Sequence, residues 1–271
     1  MPSNPATQIH PTAVIEDGAS IGAGVQIGPY SLIGPHVVLG DGCRIHGHVS
    51  ISGRTKIGPE TEIYPFASVG SPPQDLKYNG EPSELIIGAK TVIREHVTLN
   101  PGTEGGGMIT RVGDGCLLMV GAHVGHDSQV GNQVIMANNA TLGGHVRVGD
   151  QAVLGGLSAV HQFVRIGRGA MVGGMTGVER DVIPYGSVMG DRARLAGINI
   201  VGMKRRGMTK EEVSIVRNAY RLLFASEGTF QERLVEVAQE FESCEPVMEI
   251  VDFIRADTSR KICQPSEGAE L

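Results

Sequence analysis

Residues 112–183 read VGDGCL LMVGAH VGHDSQ VGNQVI MANNAT LGGHVR VGDQAV LGGLSA VHQFVR IGRGAM VGGMTG VERDVI, twelve consecutive hexapeptides that each begin with an apolar residue. An earlier run of ten hexapeptides starts at Ile9, and each of these begins with Ile or Leu. A period of six matches neither the 3.6-residue turn of an α-helix nor the two-residue alternation of a single strand. It is typical of a parallel β-helix, in which three hexapeptides form one triangular coil and the apolar first residue points inward.

The composition fits such a narrow prism. Of the 271 residues, 39 are glycine, 6 are Phe, 5 are Tyr and none is Trp. Glycine supplies turn conformations at the corners of the prism, and an interior of stacked aliphatic side chains has little space for large rings. From the repeat alone, the alternative is a β-helix with a scaffolding or ice-binding role, although the sequence shows no regular rows of Thr or Ser on one face.

Charge and cysteine usage narrow the functional class. The net charge of −6 argues against a general nucleic-acid-binding protein, which needs a large basic surface. The four cysteines are widely spaced and form no C-x-x-C pair, which favours a reducing compartment over a zinc cluster or a disulfide framework. No secretory signal and no run of 18 apolar residues is evident, so we expect a cytoplasmic protein without a membrane span.

Two polar segments interrupt the hexapeptides, and we expect both to be loops that leave the prism. They are SPPQDLKYNGEPSE at 71–84 and PGTEGGGMITR at 101–111, and two hexapeptides resume the repeat between them. Long loops on a rigid scaffold often carry function, so the first loop is favoured as the wall of a binding site.

Helical signals begin after the last hexapeptide. Thr209 with Glu212, and Thr229 with Glu232, each match a capping box that opens a helix. We expect a third helix around 246–256 and a frayed end after it, from about residue 260 to 271.

These signals predict two domains, a β-helix at 1–190 and a small α-helical domain at 191–271. The segment GMKRRG at 202–207 lies near the boundary. It is either a solvated run of charges or an anion site in which forked guanidinium groups bind phosphate.

The coil length places residues that are 18 apart above one another. One column is His126–Gly144–Gln162 and its neighbour is Asp127–His145–Phe163. His123 and His161 lie at the same edge, so four of the nine histidines fall in one patch.

Three explanations compete for this patch: solvated histidines, a metal site, and general acid–base catalysis. A metal site would need three imidazoles on adjacent faces, and the spacing does not match that arrangement well. For catalysis, Asp127 would orient His126, and the unshielded N–H of Gly144 would face a developing oxyanion.

The motifs in this chain resemble those of the UDP-N-acetylglucosamine O-acyltransferases of lipid A biosynthesis, over nearly the whole length. The matching motifs are QDLKYNGE, HVGHD, ANNATLGGHV, AVHQF, VGGMTGV, KRRG and VRNAYRLLF. The resemblance implies a homotrimer of left-handed parallel β-helices, with active sites in clefts between neighbouring prisms.

The resemblance also implies the reaction, the first step of lipid A biosynthesis. An (R)-3-hydroxyacyl group passes from acyl carrier protein to the 3-hydroxyl of UDP-N-acetylglucosamine, without a cofactor or a metal ion. His126 would be the general base, Asp127 its orienting partner, and Gly144 the donor to the oxyanion.

Further roles are implied by the matched motifs. Substrate-binding residues would be Asp75, Lys77, His123, His145, His161 and Gln162, together with Asn199, Arg205 and Arg206 at the uridine diphosphate. Gly174, in a column with Asn138 and Gly156, would lie at the floor of the acyl groove. Glycine there leaves the groove deep and predicts a long acyl chain.

Three positions depart from the family pattern. Asp191 and Arg192 stand where Asn-His is usual, and Val201 stands where an acidic residue is usual, so those contacts are not carried over. Acyl carrier proteins are acidic, and the candidate cations for docking them are Arg165, Arg168, Arg217 and Arg221.

Three other functions compete with this one. The first is an N-acyltransferase of the same pathway, which normally has an additional N-terminal nucleotide-binding domain ahead of its repeats. The second is a small-molecule acetyltransferase that uses acetyl-CoA. The third is a trimeric scaffold without catalytic activity.

Overall fold

The chain winds into a parallel β-helix in the computed structural model, which describes residues 6–256 and 260–266. Successive strands join three sheets, A, B and C, in rotation. Sheet A comprises Gln8–Ile9, Gln26–Ile27, Arg44–Ile45, Glu62–Ile63, Val92–Ile93, Leu117–Leu118, Ile135–Met136, Val153–Leu154, Met171–Val172, Gly186–Met189 and Arg194–Ile198. Sheet B comprises Val14–Ile15, Leu32–Ile33, Ser50–Ile51, Ser68–Val69, Thr98–Leu99, His123–Val124, Thr141–Leu142, Ala159–Val160 and Gly177–Val178. Sheet C comprises Ser20–Ile21, Val38–Leu39, Arg54–Ile57, Glu84–Ile87, Ile109–Val112, Gln129–Val130, Arg147–Val148 and Arg165–Ile166.

The hexapeptide pattern determines which side chains enter the core. The first residue of each hexapeptide ends a strand and points inward, so Ile33, Leu118 and Leu142 are fully buried. The residue before it points outward on the same strand, because side chains alternate along extended backbone. Ile135 therefore pairs with Val153 on the outside of sheet A, one coil further along.

The three corners are named here by the sheets they join, as corners AB, BC and CA. Each turn has one residue in the left-handed backbone region, which glycine adopts without strain. At corner BC three consecutive coils place other residues there, namely Asp127, His145 and Phe163, with φ of 61°, 62° and 66°. Their side chains consequently stack in one column at this corner.

Both predicted loops leave the prism beside corner BC, where sheet B leads into sheet C. The first loop occupies 70–83, and the strand Glu84–Ile87 follows it. The second occupies 100–108, because Ile109–Val112 already pairs with Glu84–Ile87 in sheet C. A hydrogen bond of 3.0 Å from the Glu104 N–H to Glu81 Oε1 joins the two loops.

Four helices follow the prism: α1 at Ile200–Arg205, α2 at Lys210–Leu223, α3 at Phe230–Glu240 and α4 at Glu245–Ala256. Both predicted capping boxes are confirmed at the starts of α2 and α3. Helix α1 was not predicted. None of the helices in the described ranges is long and apolar enough to cross a membrane.

The expectation of a frayed end is wrong for residues 260–266. Ile262 forms a bridge with Asp181 of the prism, and Cys263 is buried. Residues 267–271 lie outside the described ranges. The division at 190/191 stays a prediction, since Arg194–Ile198 still pairs with Gly186–Met189 in sheet A.

The three outer faces differ chemically. Sheet A carries a stripe of apolar side chains in register, formed by Val92, Leu117, Ile135, Val153 and Met171. Sheet B carries small or polar ones, including Thr98, His123, Thr141, Ala159 and Gly177. Sheet C carries Arg111, Gln129, Arg147 and Arg165 in register. Corner BC thus lies between a face of small side chains and a basic face.

Candidate active site

A histidine–aspartate pair stands at corner BC. Nδ1 of His126 lies 2.8 Å from Oδ2 of Asp127, and the Asp127 side chain is fully buried. Because a carboxylate only accepts hydrogen bonds, Nδ1 carries the hydrogen and a neutral His126 keeps its lone pair on Nε2. Nε2 has no hydrogen-bond partner among the described residues, so it is available to take a proton.

The second loop holds the Asp127 carboxylate in place. The Thr103 N–H donates to Oδ1 at 2.9 Å, and its hydroxyl donates to Oδ2 at 2.6 Å. The Asp127 N–H donates to Oγ1 of Thr110 at 2.7 Å. Sequence reasoning missed both threonines, because the insertion shifts Thr103 out of the 18-residue columns. Its position in the polar loop PGTEGGG was the only signal.

Gly144 lies directly beneath the His126 ring. A Cβ added at Gly144 would lie 2.5 Å from Cε1 and Nε2 of His126, so only glycine fits below this imidazole. Its carbonyl accepts from the Phe163 N–H at 3.1 Å, whereas its own N–H donates to no other backbone group in the described part of the chain. A free N–H donor and a free imidazole nitrogen therefore lie next to each other.

His145 and His123 flank this pair. The His145 ring stacks on Phe163 with centroids 4.3 Å apart and meets the His126 ring edge-on at 4.9 Å. His123, on the outer face of sheet B, shares a 2.7 Å hydrogen bond with the Thr98 hydroxyl. Burial lowers the pKa of both imidazoles below its usual value, which favours their neutral forms at neutral pH.

His161 and Gln162 continue the same corner and are exposed. The Gln162 carbonyl accepts a hydrogen bond of 3.0 Å from Arg260, a residue of the C-terminal segment. Arg260 also donates to the Glu179 carbonyl at 2.9 Å. The segment after α4 thereby links two successive turns of the prism. No sequence pattern predicts this contact.

The first loop brings Asp75 and Lys77 toward the cluster. The Lys77 N–H donates to Oδ1 of Asp75 at 3.0 Å, which closes a tight local turn. Both charges act on the His145 imidazole, where Asp75 raises its pKa and Lys77 lowers it. The structure thus brings together eight of the predicted site residues at corner BC: Asp75, Lys77, His123, His126, Asp127, Gly144, His145 and Gln162, with His161 adjoining them.

The three residues predicted to bind the uridine diphosphate lie at a different corner of the prism, corner CA. Asn199 caps α1 by accepting from the Gly202 N–H at 2.9 Å and donates to the Gly169 carbonyl at 3.0 Å. Arg206 donates to the carbonyls of Gly169 and Gln151, so its guanidinium holds α1 against the prism. Arg205 is exposed. Within one chain, sheet C separates these three residues from His126.

Gly174 lies at the third corner, AB. It is exposed, and a Cβ there would meet no side chain, its nearest neighbour being the Gly156 carbonyl oxygen at 3.3 Å. Space for a side chain therefore exists outside the prism. The face of sheet B separates this glycine from His126 within one chain.

Among the cations considered for docking, Arg165 is excluded by the structure. It is only 9% exposed, its Nε lies 2.7 Å from Oδ2 of Asp181, and its guanidinium stacks 4.3 Å from the Phe253 ring centroid. Arg168 lies 3.9 Å from a carboxylate oxygen of Glu249.

The departing positions are all at the surface. Arg192 pairs with Glu179 at 3.1 Å and lies 3.6 Å from Asp191. Val201 is 61% exposed on α1. None of the three forms a hydrogen bond or ion pair with the His126 cluster among the described residues.

His126, Asp127 and His145 each offer one ligand atom within 4.8 Å of the others, as a metal site would require. The carboxylate, however, already accepts from Thr103 twice and from His126, which leaves it little capacity for an ion. The geometry favours the hydrogen-bonded pair over a metal centre.

Comparison with known proteins places this fold and site in context. The family described as "Udp N-acetylglucosamine O-acyltransferase; Domain 2" matches residues 181–263, and the bacterial transferase hexapeptide family matches 5–40, 18–53 and 109–144. The acyl-[acyl-carrier-protein]–UDP-N-acetylglucosamine O-acyltransferase of Methylobacterium radiotolerans is 71% identical over 262 residues, which cover 97% of this chain and 96% of that protein.

Solved structures agree. The UDP-N-acetylglucosamine acyltransferase of Francisella novicida superposes with a TM-score of 0.92 at 31% identity, covering 97% of this chain and 99% of that one. The enzyme of the same name from Campylobacter jejuni gives 0.90 at 37% identity, covering 96% and 100%. The expected left-handed parallel β-helix with a small helical end is confirmed, and the chain belongs to the UDP-N-acetylglucosamine O-acyltransferase family.

Proposed function

We infer that this enzyme transfers an (R)-3-hydroxyacyl group from acyl carrier protein to the 3-hydroxyl of UDP-N-acetylglucosamine, which begins lipid A biosynthesis. The observation that carries the mechanism is the His126–Asp127 pair above the free N–H of Gly144. The four cysteines form no disulfide, which fits a cytoplasmic location.

The geometry suggests the order of bond changes. Nε2 of His126 takes the proton of the sugar 3-hydroxyl as that oxygen attacks the thioester carbonyl carbon. The resulting oxyanion accepts a hydrogen bond from the Gly144 N–H, and the buried Asp127 carboxylate stabilises the imidazolium. The carbon–sulfur bond then breaks, and the imidazolium returns its proton to the thiolate of the carrier. The products are the 3-O-acyl sugar nucleotide and the carrier thiol.

The remaining predicted residues would bind the substrates. Asp75, Lys77, His123, His145, His161 and Gln162 would contact the sugar around the reacting hydroxyl. Asn199, Arg205 and Arg206 would bind the uridine diphosphate, and Gly174 would limit the acyl chain. Because the three sets lie at three different corners, one chain cannot assemble them alone.

A homotrimer satisfies this requirement. Neighbouring prisms would bring one chain's corner BC against a different corner of the next, which completes the site. The apolar stripe on sheet A supports such an assembly, since an apolar face of this kind is typical of subunit contacts.

The test is a mass-spectrometric assay with UDP-N-acetylglucosamine and either acyl carrier protein or acetyl-CoA as the donor. We expect acyl transfer to oxygen from the carrier-bound donor only, and a fall of about 10³-fold in kcat for His126→Ala. Activity should survive treatment with a chelator. Equal activity of His126→Ala, or no product from the native enzyme, would contradict the proposal.

A further inference from the structure

A cleft of about 990 Å³ opens on the outer face of sheet C, directly beside the His126 cluster. His145, Asp127 and Phe163 form its wall at corner BC, and Arg147 forms part of its floor. Arg180, further along the same corner, lines it together with Arg260 and Lys261 of the C-terminal segment. The cleft is therefore bounded by the reaction centre at one edge and by the C-terminal segment at the other.

The charges in this cleft are unbalanced. Arg147, Arg180 and Lys261 are exposed, and their side chains form no hydrogen bond or ion pair with any described residue. The acidic groups at the cleft all have partners: Asp127 has His126 at 2.8 Å, and Glu179 has Arg192 at 3.1 Å. Unpaired positive charge thus collects here although the chain as a whole has a net charge of −6.

The register of sheet C makes this arrangement costly. Arg147 lies directly beside Arg165 on adjacent strands, and like charges in that position are destabilising. The Asp181 carboxylate, 2.7 Å from Arg165, offsets the charge of Arg165, but nothing in the described chain offsets that of Arg147. An unpaired cation kept at such a position points to an anionic ligand supplied from outside.

We propose that this basic cleft is the docking site for the acidic surface of the acyl carrier protein. The inference rests on the proposed function and assigns its second substrate to a surface. Arg205 and Arg206 at corner CA are already assigned to the nucleotide, whereas the cleft on sheet C leads straight to His126. A carrier that binds there presents its thioester to the base from the side of sheet C, and opposite charge accelerates their encounter.

The experiment compares the native enzyme with the combined variant Arg147→Gln, Arg180→Gln and Lys261→Gln. We expect the KM for acyl carrier protein to rise about tenfold, with kcat and the KM for UDP-N-acetylglucosamine unchanged, and a weaker dependence of KM on salt. Binding of the carrier without its acyl group, measured by calorimetry, should weaken in parallel. This binding arm does not depend on turnover, so it separates failure of the proposal from failure of the proposed function.

Arg54→Gln is the matched control. Arg54 is an exposed cation on the same face, four strands from Arg147, or about 19 Å at the usual strand spacing. It should leave the KM unchanged. A short donor, the acyl-phosphopantetheine thioester without the protein, should be used equally well by the native enzyme and the combined variant.

Three results would overturn the proposal. The first is a KM for the carrier that does not distinguish the combined variant from its control, either because it is unchanged in the combined variant or because it rises equally in Arg54→Gln. The second is a rise in the KM for UDP-N-acetylglucosamine, which would show that the cleft binds the nucleotide. The third is an equal defect with the short donor, which would assign the cations to the phosphate of the arm.

Discussion

The absence of a side chain at position 144 shapes the candidate site at the scale of single residues. The His126 ring occupies the volume that any Cβ would need, and the same absence leaves the N–H unshielded. Glycine here does not serve a left-handed turn, since the left-handed residue of this turn is His145. In the proposed mechanism, it lets an imidazole and a backbone donor approach the same reacting atoms.

Gly144→Ala should therefore reduce activity while the fold is retained. The methyl group would push the His126 ring aside, and we expect kcat to fall by about 10²-fold because the base and the oxyanion donor lose their alignment. Gly105→Ala is the control, since a Cβ at Gly105 meets nothing within 4 Å. Unchanged kinetics of Gly144→Ala would argue against the assignment of this N–H.

Gly174→Met tests the limit on acyl length. The longer side chain would extend from corner AB into the proposed groove; no side chain lies near its Cβ, whose closest neighbour is the Gly156 carbonyl oxygen at 3.3 Å. We expect the preferred donor to become several carbons shorter, read out by competition between acyl carrier proteins of different chain length. An unchanged preference would show that Gly174 does not line the groove.

The half-buried His123 predicts a pH dependence of stability. Its pKa is lowered in the folded protein by burial and by the charge of His126, from about 6.5 in an unfolded chain. Between these values the unfolded chain binds more protons, so stability is fully present above pH 6.5 and is lost as the pH falls below it. The Tm should drop between pH 7.5 and 5.5, and it should drop by about 2 °C less in His123→Asn.

His36→Asn is the control for this measurement, because His36 is an exposed imidazole on the same prism. It should leave the pH dependence of Tm as it is in the native protein. An equal drop in His123→Asn and in the native protein would show that His123 does not titrate differently on unfolding.

Helix α1 illustrates how elements position the site. It has six residues, and neither a capping box nor a strong apolar period marks it in the sequence. The available signals are Asn199, a preferred N-cap residue, and the basic residues Lys204 and Arg205 in the last turn. What fixes the helix is its contact with the prism, since Arg206 donates to carbonyls of two different coils.

Arg205 and Arg206 should consequently respond differently to substitution. Arg206→Gln should lower the Tm by several degrees and weaken nucleotide binding, because its hydrogen bonds to Gly169 and Gln151 are lost. Arg205→Gln should leave the Tm unchanged and raise the KM for UDP-N-acetylglucosamine about tenfold. Thermal unfolding together with kinetics separates the two, and a matching loss of Tm in both would refute this division.

At the scale of the whole molecule, the chemistry of the three faces predicts how chains assemble. The stripe on sheet A is apolar over five strands, whereas the corresponding rows on sheets B and C are small or charged. Water-exposed apolar stripes of this length favour burial against another surface. Sheet A is therefore the expected contact between prisms.

Ile135→Glu should disrupt the proposed trimer. A charge in the middle of the stripe would be buried without a partner in the assembly, which opposes association strongly. Light scattering after size-exclusion chromatography should show smaller species, and activity should be lost with them. Val38→Glu, which adds the same charge at an exposed apolar residue of sheet C, should remain trimeric and active. Trimers with full activity in Ile135→Glu would assign the contact to another face.

The sequence by itself determined the coil and most of the candidate site. A constant period of six dictates which side chains point inward, and a constant coil length places Gly144 next to His126 and His145 next to Asp127, one coil further along. Both the inward direction of the side chains and their stacking follow from the backbone geometry of one hexapeptide, which repeats along the prism. Capping boxes likewise predict the starts of α2 and α3, because the hydrogen bonds of a capping box join residues within four positions of each other.

Only the tertiary structure determined the contacts between segments that are far apart in the chain. Thr103 reaches Asp127 from an insertion that breaks the period, Arg165 is buried by Asp181 and Phe253, and Arg260 returns from beyond α4 to the turn at Gln162. No periodic rule connects such positions, since their contacts depend on how loops and helices pack against the prism. The position of Arg206 against Gly169 and Gln151 depends on the same kind of packing, because α1 follows the last hexapeptide.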